Sequence, residues 1–263
     1  MLNFIRTRVQ QGTRTADFPG GKPALPERFR GRPALDRSRC ADCAKCGATM
    51  PSQLLQIDAD GRPSLDVGGC LFSPEEAAAC PRGAIQFTTD HVMASRSREG
   101  LRTERGEIEL AGALDRRMRQ LFGRSLRLRS VAAGSCNGCE AELVALGNVV
   151  FDMARFGIQF VASPRHADGL VVTGAVNTNM RDALYRTYEA TPEPKLVIAV
   201  GACAISGGPF RGSPEVADGV PSDIPVDLWV PGCPPHPLTI LDGLLRLLGR
   251  MPRERQRITT AVP

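Results

Sequence analysis

The sequence lacks any uninterrupted apolar run of the ~18 to 20 residues that a membrane-spanning helix needs. It opens with MLNFIRTRVQ and shows no long apolar core followed by a small-residue cleavage site, so we expect an unexported chain in a reducing compartment. Aromatic residues are scarce, with one Trp and two Tyr, and few stacking platforms disfavour a nucleic-acid-binding role. These absences predict a chain that neither crosses a membrane nor binds nucleic acid.

Cysteine, by contrast, is abundant: the chain has nine, an odd number that argues against complete disulfide pairing. In a reducing compartment such cysteines are more often metal ligands or catalytic thiols. They form two groups, one at 40, 43, 46, 70 and 80 and one at 136, 139, 203 and 233. Between the groups, ten arginines lie from position 96 to 129, in a chain of net charge +5. We interpret this stretch as a solvated basic linker or a partner-docking surface.

The first group carries a faint internal repeat. Cys40, Cys43 and Cys46 have the C-x2-C-x2-C spacing of bacterial-type ferredoxins, in which a fourth Cys followed by Pro completes the run. Met50 and Pro51 occupy that place in this chain. The second copy keeps cysteine only at its first and last positions, since it reads Cys70, Ser73, Glu76, Cys80 and then Pro81.

This asymmetry predicts one complete 4Fe-4S site. The last Cys of each run ligates the other cluster in two-cluster ferredoxins, so the complete set is Cys40, Cys43, Cys46 and Cys80. The other set has a single thiolate, Cys70, which we expect to be a buried leftover thiol or, less favoured, a redox-sensitive one. A zinc site is the alternative for four cysteines, but zinc modules usually bring two separated pairs. The segments after the two prolines, PSQLLQIDADG and PRGAIQFTTDH, are similar, and the ferredoxin resemblance covers roughly residues 38–90.

The second half alternates apolar runs with helical patterns. Strands are predicted in SLRLRSV, IQFVAS, DGLVVTGAV, KLVIAV and DLWV, and helices from about Glu140 to Phe156, near 178–190 and from about Leu238 to Leu248. Such alternation favours a parallel sheet covered on both faces. The fold class is therefore predicted as α/β, with an N-terminal ferredoxin-like α+β domain and a C-terminal flavodoxin-like parallel-sheet domain.

The cysteines of the second group all follow predicted strands. Cys136 and Cys139 lie between the first strand and its helix, Cys203 follows KLVIAV, and Cys233 follows DLWV. Open parallel sheets gather their ligand-binding loops at this edge, so four thiolates can converge there. Glycines at 134, 138, 201, 207 and 208 would let backbone N–H groups approach cluster sulfurs. Each cysteine alone could be a small buried hydrophobe, and the CxxC pair alone a thioredoxin-type redox pair, but the matching loops argue against both.

These motifs resemble a known family. GSCNGCEAEL, EPKLVIAVGACAISGG and IPVDLWVPGCPPHP are similar to the small subunit of energy-converting membrane nickel-iron hydrogenases, which include the formate hydrogenlyase type. That family is homologous to the cluster-bearing B subunit of respiratory complex I, and the resemblance spans about residues 125–250. It implies that Cys136, Cys139, Cys203 and Cys233 ligate the 4Fe-4S cluster nearest the active site. The respiratory subunits carry adjacent cysteines in the first motif, so the CNGC spacing favours a hydrogenase.

The segments GTRTADFP and RFRGRPALD resemble the polyferredoxin subunit of the same complexes, which implies a fusion. We therefore predict a docking arm over residues 1–37, a ferredoxin-like 4Fe-4S domain over 38–90, a basic linker over 91–124, a small-subunit-like 4Fe-4S domain over 125–250 and a tail over 251–263. Within the linker, LAGALDRRMRQLFG has the spacing of a short amphipathic helix.

The resemblance implies an electron-transfer subunit that relays electrons through two 4Fe-4S clusters to or from a catalytic large subunit. The implied partners are that large subunit, membrane-arm subunits and an upstream donor such as a formate dehydrogenase or a ferredoxin. The implied location is cytoplasmic, peripheral to the inner face of the cell membrane. A complex-I-like quinone oxidoreductase module and a zinc-stabilised scaffold protein are the alternatives.

Other polar residues have both a functional and a structural interpretation. Glu140 is a candidate proton acceptor beside Cys139, although a favourable charge in the first turn of a helix is preferred. Arg165 is a candidate contact of the cluster or of a partner carboxylate, against an ordinary surface arginine. His236 is a candidate tuning residue, although a lone loop histidine is more often structural. His91 and His166 have no surrounding constellation, and no catalytic residue is predicted in this chain.

Overall fold

The computed structural model describes residues 2–40, 50, 52–57, 61–103 and 108–252. Seven α-helices and ten strands lie within these ranges. The helices are α1 (Leu2–Gln11), α2 (Pro74–Ala78), α3 (Arg116–Phe122), α4 (Gly138–Ala145), α5 (Thr178–Ala190), α6 (Ala202–Ser206) and α7 (Pro237–Leu247). The strands are β1 (Pro33–Leu35), β2 (Leu55–Ile57), β3 (Pro63–Asp66), β4 (Ile85–Phe87), β5 (Arg102–Thr103), β6 (Leu126–Ala132), β7 (Ile158–Phe160), β8 (Gly169–Thr173), β9 (Leu196–Val200) and β10 (Leu228–Val230).

The second half is built on a five-stranded sheet in the order β10-β9-β8-β6-β7, with every pairing parallel. Numbered from β6, this order is the 2-1-3-4-5 arrangement of flavodoxin-like folds. Strands β8 and β9 are buried along their whole length, because their continuous apolar sequences are covered on both faces. The predicted parallel sheet is confirmed.

Each face of this sheet packs against its own apolar core. Val171 and Ile198 point into a core that includes much of α7, whereas Val172 and Val197 point into a core with Leu184 of α5. Alternate residues of a strand face opposite sides, so one short apolar run serves both cores. The helices predicted near 178–190 and 238–248 are confirmed as α5 and α7.

The helix predicted from Glu140 to Phe156 is wrong in its length. Helix α4 ends at Ala145, and a separate 3₁₀ helix covers Met153–Phe156. The side chain of Asn148 accepts hydrogen bonds from the backbone N–H groups of Val150 and Phe151 at 2.8 and 3.1 Å, which offers the backbone an alternative to the helix. Val150 is consequently 41% exposed.

The short helix predicted in LAGALDRRMRQLFG is confirmed as α3. Asp115 caps it, because its side chain accepts a hydrogen bond from the Met118 N–H at 3.0 Å. Phe122 is buried in the core that α7 also lines, whereas Leu121 is 51% exposed. The helix is therefore amphipathic and anchored to the second half by its buried face.

The first half contains two small antiparallel sheets. One pairs β1 with β4, and the other has the order β2-β3-β5. Strands β2 and β4 begin at the same offset from the prolines of the two sequence copies, Pro51 and Pro81. Their residues share a compact apolar core that includes Cys70 and Cys80. The ferredoxin-like identity of this half stays a prediction.

Helix α1 exposes apolar side chains, with Phe4 75%, Ile5 54% and Val9 76% exposed. Its role as a docking arm stays a prediction. None of the helices in the described ranges combines the length and apolar character needed to span a membrane.

Candidate functional site

The four cysteines of the second group meet at one edge of the parallel sheet. Cys136 and Cys139 follow β6, Cys203 lies in α6 just after β9, and Cys233 follows β10. Parallel strands end at the same edge, so these loops become neighbours although they are distant in sequence. Strands β7 and β8 lie on opposite sides of β6, so the loop carrying Cys136 and Cys139 leaves the sheet at the point where the strand order reverses.

Electrostatic coupling shows that the four thiols lie close together. Burial raises the pKa of Cys139, and the neighbouring Glu140, Cys203, Cys233 and Cys136 raise it further. Burial also raises the pKa of Cys203 to about 11, with Cys233 and Cys136 as the next causes. Thiols with a raised pKa stay protonated near neutral pH, and a cationic metal group would be needed to hold Cys139 and Cys203 as thiolates.

Two glycines make room for these sulfurs. Gly201 has φ +91°, and a Cβ there would lie 2.5 Å from Cys139 Sγ. Gly208 has φ +55°, and a Cβ there would lie 2.8 Å from Cys203 Sγ. Both positions therefore require glycine for space as well as for conformation. At Gly134 and Gly207 a Cβ would instead meet Asn177 and Asp218. The approach of glycine N–H groups to cluster sulfurs stays a prediction.

The Glu140 carboxylate is held beside the thiols. Its Oε1 accepts hydrogen bonds from Ser135 Oγ at 2.7 Å and from Thr173 Oγ1, while Oε2 is buried without a hydrogen-bond partner. The sequence interpretation missed Ser135 and Thr173. The position of Thr173 at the end of an otherwise apolar strand was the available signal, since this edge of the sheet is where ligand-binding side chains collect.

His236 has a structural role. Its Nδ1 accepts a hydrogen bond from the Leu238 N–H at 3.1 Å and so caps α7. Its ring packs edge-on against Phe29 and Phe151, with centroid distances of 5.4 and 5.8 Å, and burial lowers its pKa. This geometry supports the structural interpretation of His236.

The remaining candidates lie elsewhere. Arg165 and His166 are exposed in a 3₁₀ turn that precedes the start of β8, whereas the cysteines follow strand ends. His91 is buried and packs edge-on against Phe18 at 6.0 Å. The structure brings none of the three to the cysteine edge.

The first group of cysteines is described only in part. Cys43 and Cys46 lie outside the described residues. Cys40 is disulfide-bonded. Cys40 packs against the apolar core that contains Cys80, whose sulfur accepts a hydrogen bond from the Ala84 N–H at 3.3 Å. The completeness of this ligand set stays a prediction.

In the second copy of the repeat, Cys70 and Glu76 take part in a network of hydrogen bonds. Glu76 is fully buried and accepts hydrogen bonds from Ser52 Oγ, from the Leu71 N–H at 2.9 Å and from the Ser73 N–H at 2.8 Å. Cys70 is buried, as predicted, and its thiol donates to Glu76 Oε2 at 3.4 Å. Burial and the adjacent Glu76 raise the pKa of Cys70, which keeps the thiol neutral.

Within the described ranges, no three His, Cys, Asp or Glu side chains are grouped closely enough to hold a single metal ion. A 4Fe-4S cluster takes one thiolate at each of its four irons, so its ligands stand farther apart than those of a single ion. A 4Fe-4S cluster at the second group of cysteines stays a prediction.

Comparisons with known proteins agree with the fold and the motifs. The family model described as NADH ubiquinone oxidoreductase, 20 Kd subunit, matches residues 136–247. A probable membrane-bound hydrogenase subunit of Pyrococcus furiosus is 45% identical over 141 residues, which are 52% of this chain and 84% of that protein. The B subunit of NADH-quinone oxidoreductase from Heliobacterium modesticaldum is 49% identical over 43% of this chain and 65% of its own length. Formate hydrogenlyase subunit 7 of Escherichia coli is 46% identical over 48% of this chain and 49% of its own length.

Proposed function

Since the chain belongs to the family of the NADH ubiquinone oxidoreductase 20 Kd subunit, whose members serve in oxidoreductase complexes, we propose that it is an electron-transfer subunit of a membrane-associated nickel-iron hydrogenase-like complex. In this proposal electrons pass through two 4Fe-4S clusters to or from a catalytic large subunit. The convergence of four thiols on one sheet edge, with glycine at the two closest approaches, is the observation that supports it most.

Cys136, Cys139, Cys203 and Cys233 would hold one cluster, and Cys40, Cys43, Cys46 and Cys80 the other. A bound cluster supplies one-electron transfer at a potential set by its hydrogen bonds and burial. The residues of the chain hold the thiols in place and limit their exposure. Phe72 and Met93 from the first half line a cavity of about 260 Å³ together with Cys233, which is an exposed residue.

The partner proposed for this chain is a hydrogenase-type large subunit. The CNGC spacing and the similarity to two hydrogenase-system subunits support that choice. Membrane-arm subunits and an upstream donor, such as a formate dehydrogenase or a ferredoxin, complete the proposed complex. The chain would join it peripherally at the cytoplasmic face of the cell membrane, with the active site in the large subunit.

Anaerobic purification tests the two-cluster proposal. The chain should contain about eight iron and about eight labile sulfide, four of each for every 4Fe-4S cluster. Reduction should produce the low-temperature electron paramagnetic resonance (EPR) signals of reduced 4Fe-4S clusters. Cys40 must first be released from its disulfide, so the preparation includes a thiol reductant. About four iron together with zinc would contradict the second cluster, and zinc alone would identify a scaffold protein.

A complex-I-like quinone oxidoreductase module is the second candidate, because one relative at 49% identity is the B subunit of an NADH-quinone oxidoreductase. The large subunit that co-purifies with this chain separates the two functions. A nickel-binding large subunit carries two CxxC pairs, one near each end, and the intact complex would evolve hydrogen. A large subunit without those pairs, in a complex that reduces quinone, would overturn the hydrogenase proposal.

A further inference from the structure

The loop that contains the second copy of the repeat packs against the second half of the chain. It lies at the sheet edge where the second group of cysteines meets. The 3₁₀ helix Val67–Gly69 packs on α6, where Ser206 Oγ donates to the Gly68 carbonyl at 3.1 Å. A Cβ at Gly68 would lie 2.7 Å from Ile205 Cγ2, so the approach is close. Farther along the same loop, Phe72 lines the cavity that also contains Cys233. The loop from Val67 to Glu76 therefore lies close to Cys203 and Cys233 of the second group.

Glu76 is the charged group of this loop. It is fully buried, and its four hydrogen-bond contacts are all with donors: Ser52 Oγ and the Leu71 N–H at Oε1, and the Ser73 N–H and Cys70 thiol at Oε2. An ionised carboxylate can only accept hydrogen bonds, so four surrounding donors suit a charged Glu76 in the interior.

This charge reaches the second ligand set. The Leu71 and Ser73 N–H groups that donate to Glu76 flank Phe72, and Phe72 lines the same cavity as Cys233. Arg28 and Arg30 line the same cavity and carry the opposite sign, but both are exposed to solvent. Arg30 Nε donates to the Phe72 carbonyl in this loop, but solvent and salt screen exposed charges more than buried ones, so the two arginines offset the field of Glu76 only in part.

We propose that Glu76 is a tuning residue, whose fixed negative charge makes the cluster held by Cys136, Cys139, Cys203 and Cys233 harder to reduce. The inference rests on the proposed function, since it requires a cluster at those cysteines. Position 76 is one at which the ferredoxin pattern has a cysteine ligand, so the inference gives its glutamate a different role. A buried negative charge opposes the addition of an electron nearby, and its removal should raise the reduction potential.

The test is a redox titration of the anaerobically purified complex, followed by EPR. In Glu76→Gln the second-half cluster should show a higher midpoint potential, with the ratio of reduced to oxidised cluster rising about tenfold at fixed solution potential, which is about 59 mV for one electron. Glu76→Asp keeps the charge and should keep the wild-type potential. Glu75→Gln removes the same charge from an exposed neighbour on α2 and is the matched control, with little or no shift.

Glu76→Gln places an amide among hydrogen-bond donors, so its iron content and melting temperature are measured first. Should it lose iron, Ser52→Ala keeps the test available, because it removes one donor from an intact carboxylate and should shift the potential downward. An unchanged potential in Glu76→Gln, an equal shift in Glu75→Gln, or an upward shift in Ser52→Ala overturns the inference. A wild-type complex without the second-half cluster signal refutes the proposed function instead, before any variant is examined.

Discussion

The two groups of cysteines are organised in different ways. In the second half, the thiols come from separate loops, and the common direction of the parallel strands brings them together. In the first half, the candidate ligands are set mainly by local spacing, with Cys80 joining from the second copy. A site built by topology depends on the whole sheet, whereas a site built by spacing can lose single ligands one at a time. Ser73 and Glu76, at positions where the ferredoxin pattern has cysteine, would be an example of the second case.

The two halves also differ in what stabilises them. Strands β8 and β9 are buried along their whole length and apolar except for Thr173 at the end of β8. The first half adds buried polar contacts to a smaller core. Asp66 is 2% exposed and makes two hydrogen bonds of 2.7 Å with Arg98, and Glu76 accepts four more. Polar networks require every partner in place, so we expect the first half to tolerate polar substitutions poorly.

The largest expected effect distinguishes a cysteine that is a proposed cluster ligand from one that lies outside both proposed ligand sets. Cys203→Ser removes one of four proposed thiolates from the second half and should lower the iron content from about eight to about four per chain. Cys70→Ser is the matched control, because Cys70 is a neutral buried thiol outside both proposed sets, and it should keep all the iron. Iron and sulfide analysis of anaerobic preparations measures both. Equal loss of iron in the two variants would show that Cys70 is a ligand.

The next prediction compares how much packing in the apolar core of each half contributes to the unfolding free energy. Ile198→Ala in β9 and Leu65→Ala in β3 each empty a fully buried position and should each cost about 2–5 kcal/mol of unfolding free energy. Val9→Ala, at a 76% exposed position in α1, should change it by less than about 0.5 kcal/mol. Urea unfolding measures the three variants. A small loss for Leu65→Ala alone would mean that the first half contributes little packing energy.

A third test compares a buried and an exposed ion pair. Arg98→Ala removes both 2.7 Å hydrogen bonds from the buried Asp66 carboxylate and leaves it a single longer ion pair, at 3.8 Å to the exposed Arg102, so it should cost about 3 kcal/mol. Arg186→Ala breaks a pair on α5 in which both side chains are more than 80% exposed, and should cost at most about 0.5 kcal/mol. The unfolding free energies of the two variants give the comparison. Similar values would show that the Asp66–Arg98 pair adds no more than a surface contact.

The smallest effect concerns the glycines of the second half. Gly201→Ala and Gly212→Ala both place a side chain at positive φ, which costs about 1–2 kcal/mol. Only the first also forces a Cβ against a cysteine sulfur, since a Cβ at Gly212 would meet no atom within 4 Å. Gly201→Ala should therefore be about 1 kcal/mol less stable than Gly212→Ala, in line with the usual cost of overpacking. Equal melting temperatures and iron contents would argue against a tight approach at Cys139.

Much of the second half could be predicted from its sequence. Continuous apolar runs identified the strands because a strand covered on both faces has no polar positions along it. Helix α4 was overextended because the apolar spacing continues past the point where the Asn148 side chain bonds to the following backbone. Hydrophobic periodicity does not register such local competition.

The sequence by itself determined the spacing of the cysteines, the loss of two of them in the second copy and the strands that the second group follows. Only the tertiary structure decided what stands in place of the lost ligands. The partners of Glu76 include Ser52, 24 residues away, and the neighbouring Cys233 comes from the other half of the chain. Buried charges act through space, and the neighbours that matter to them are assembled by folding.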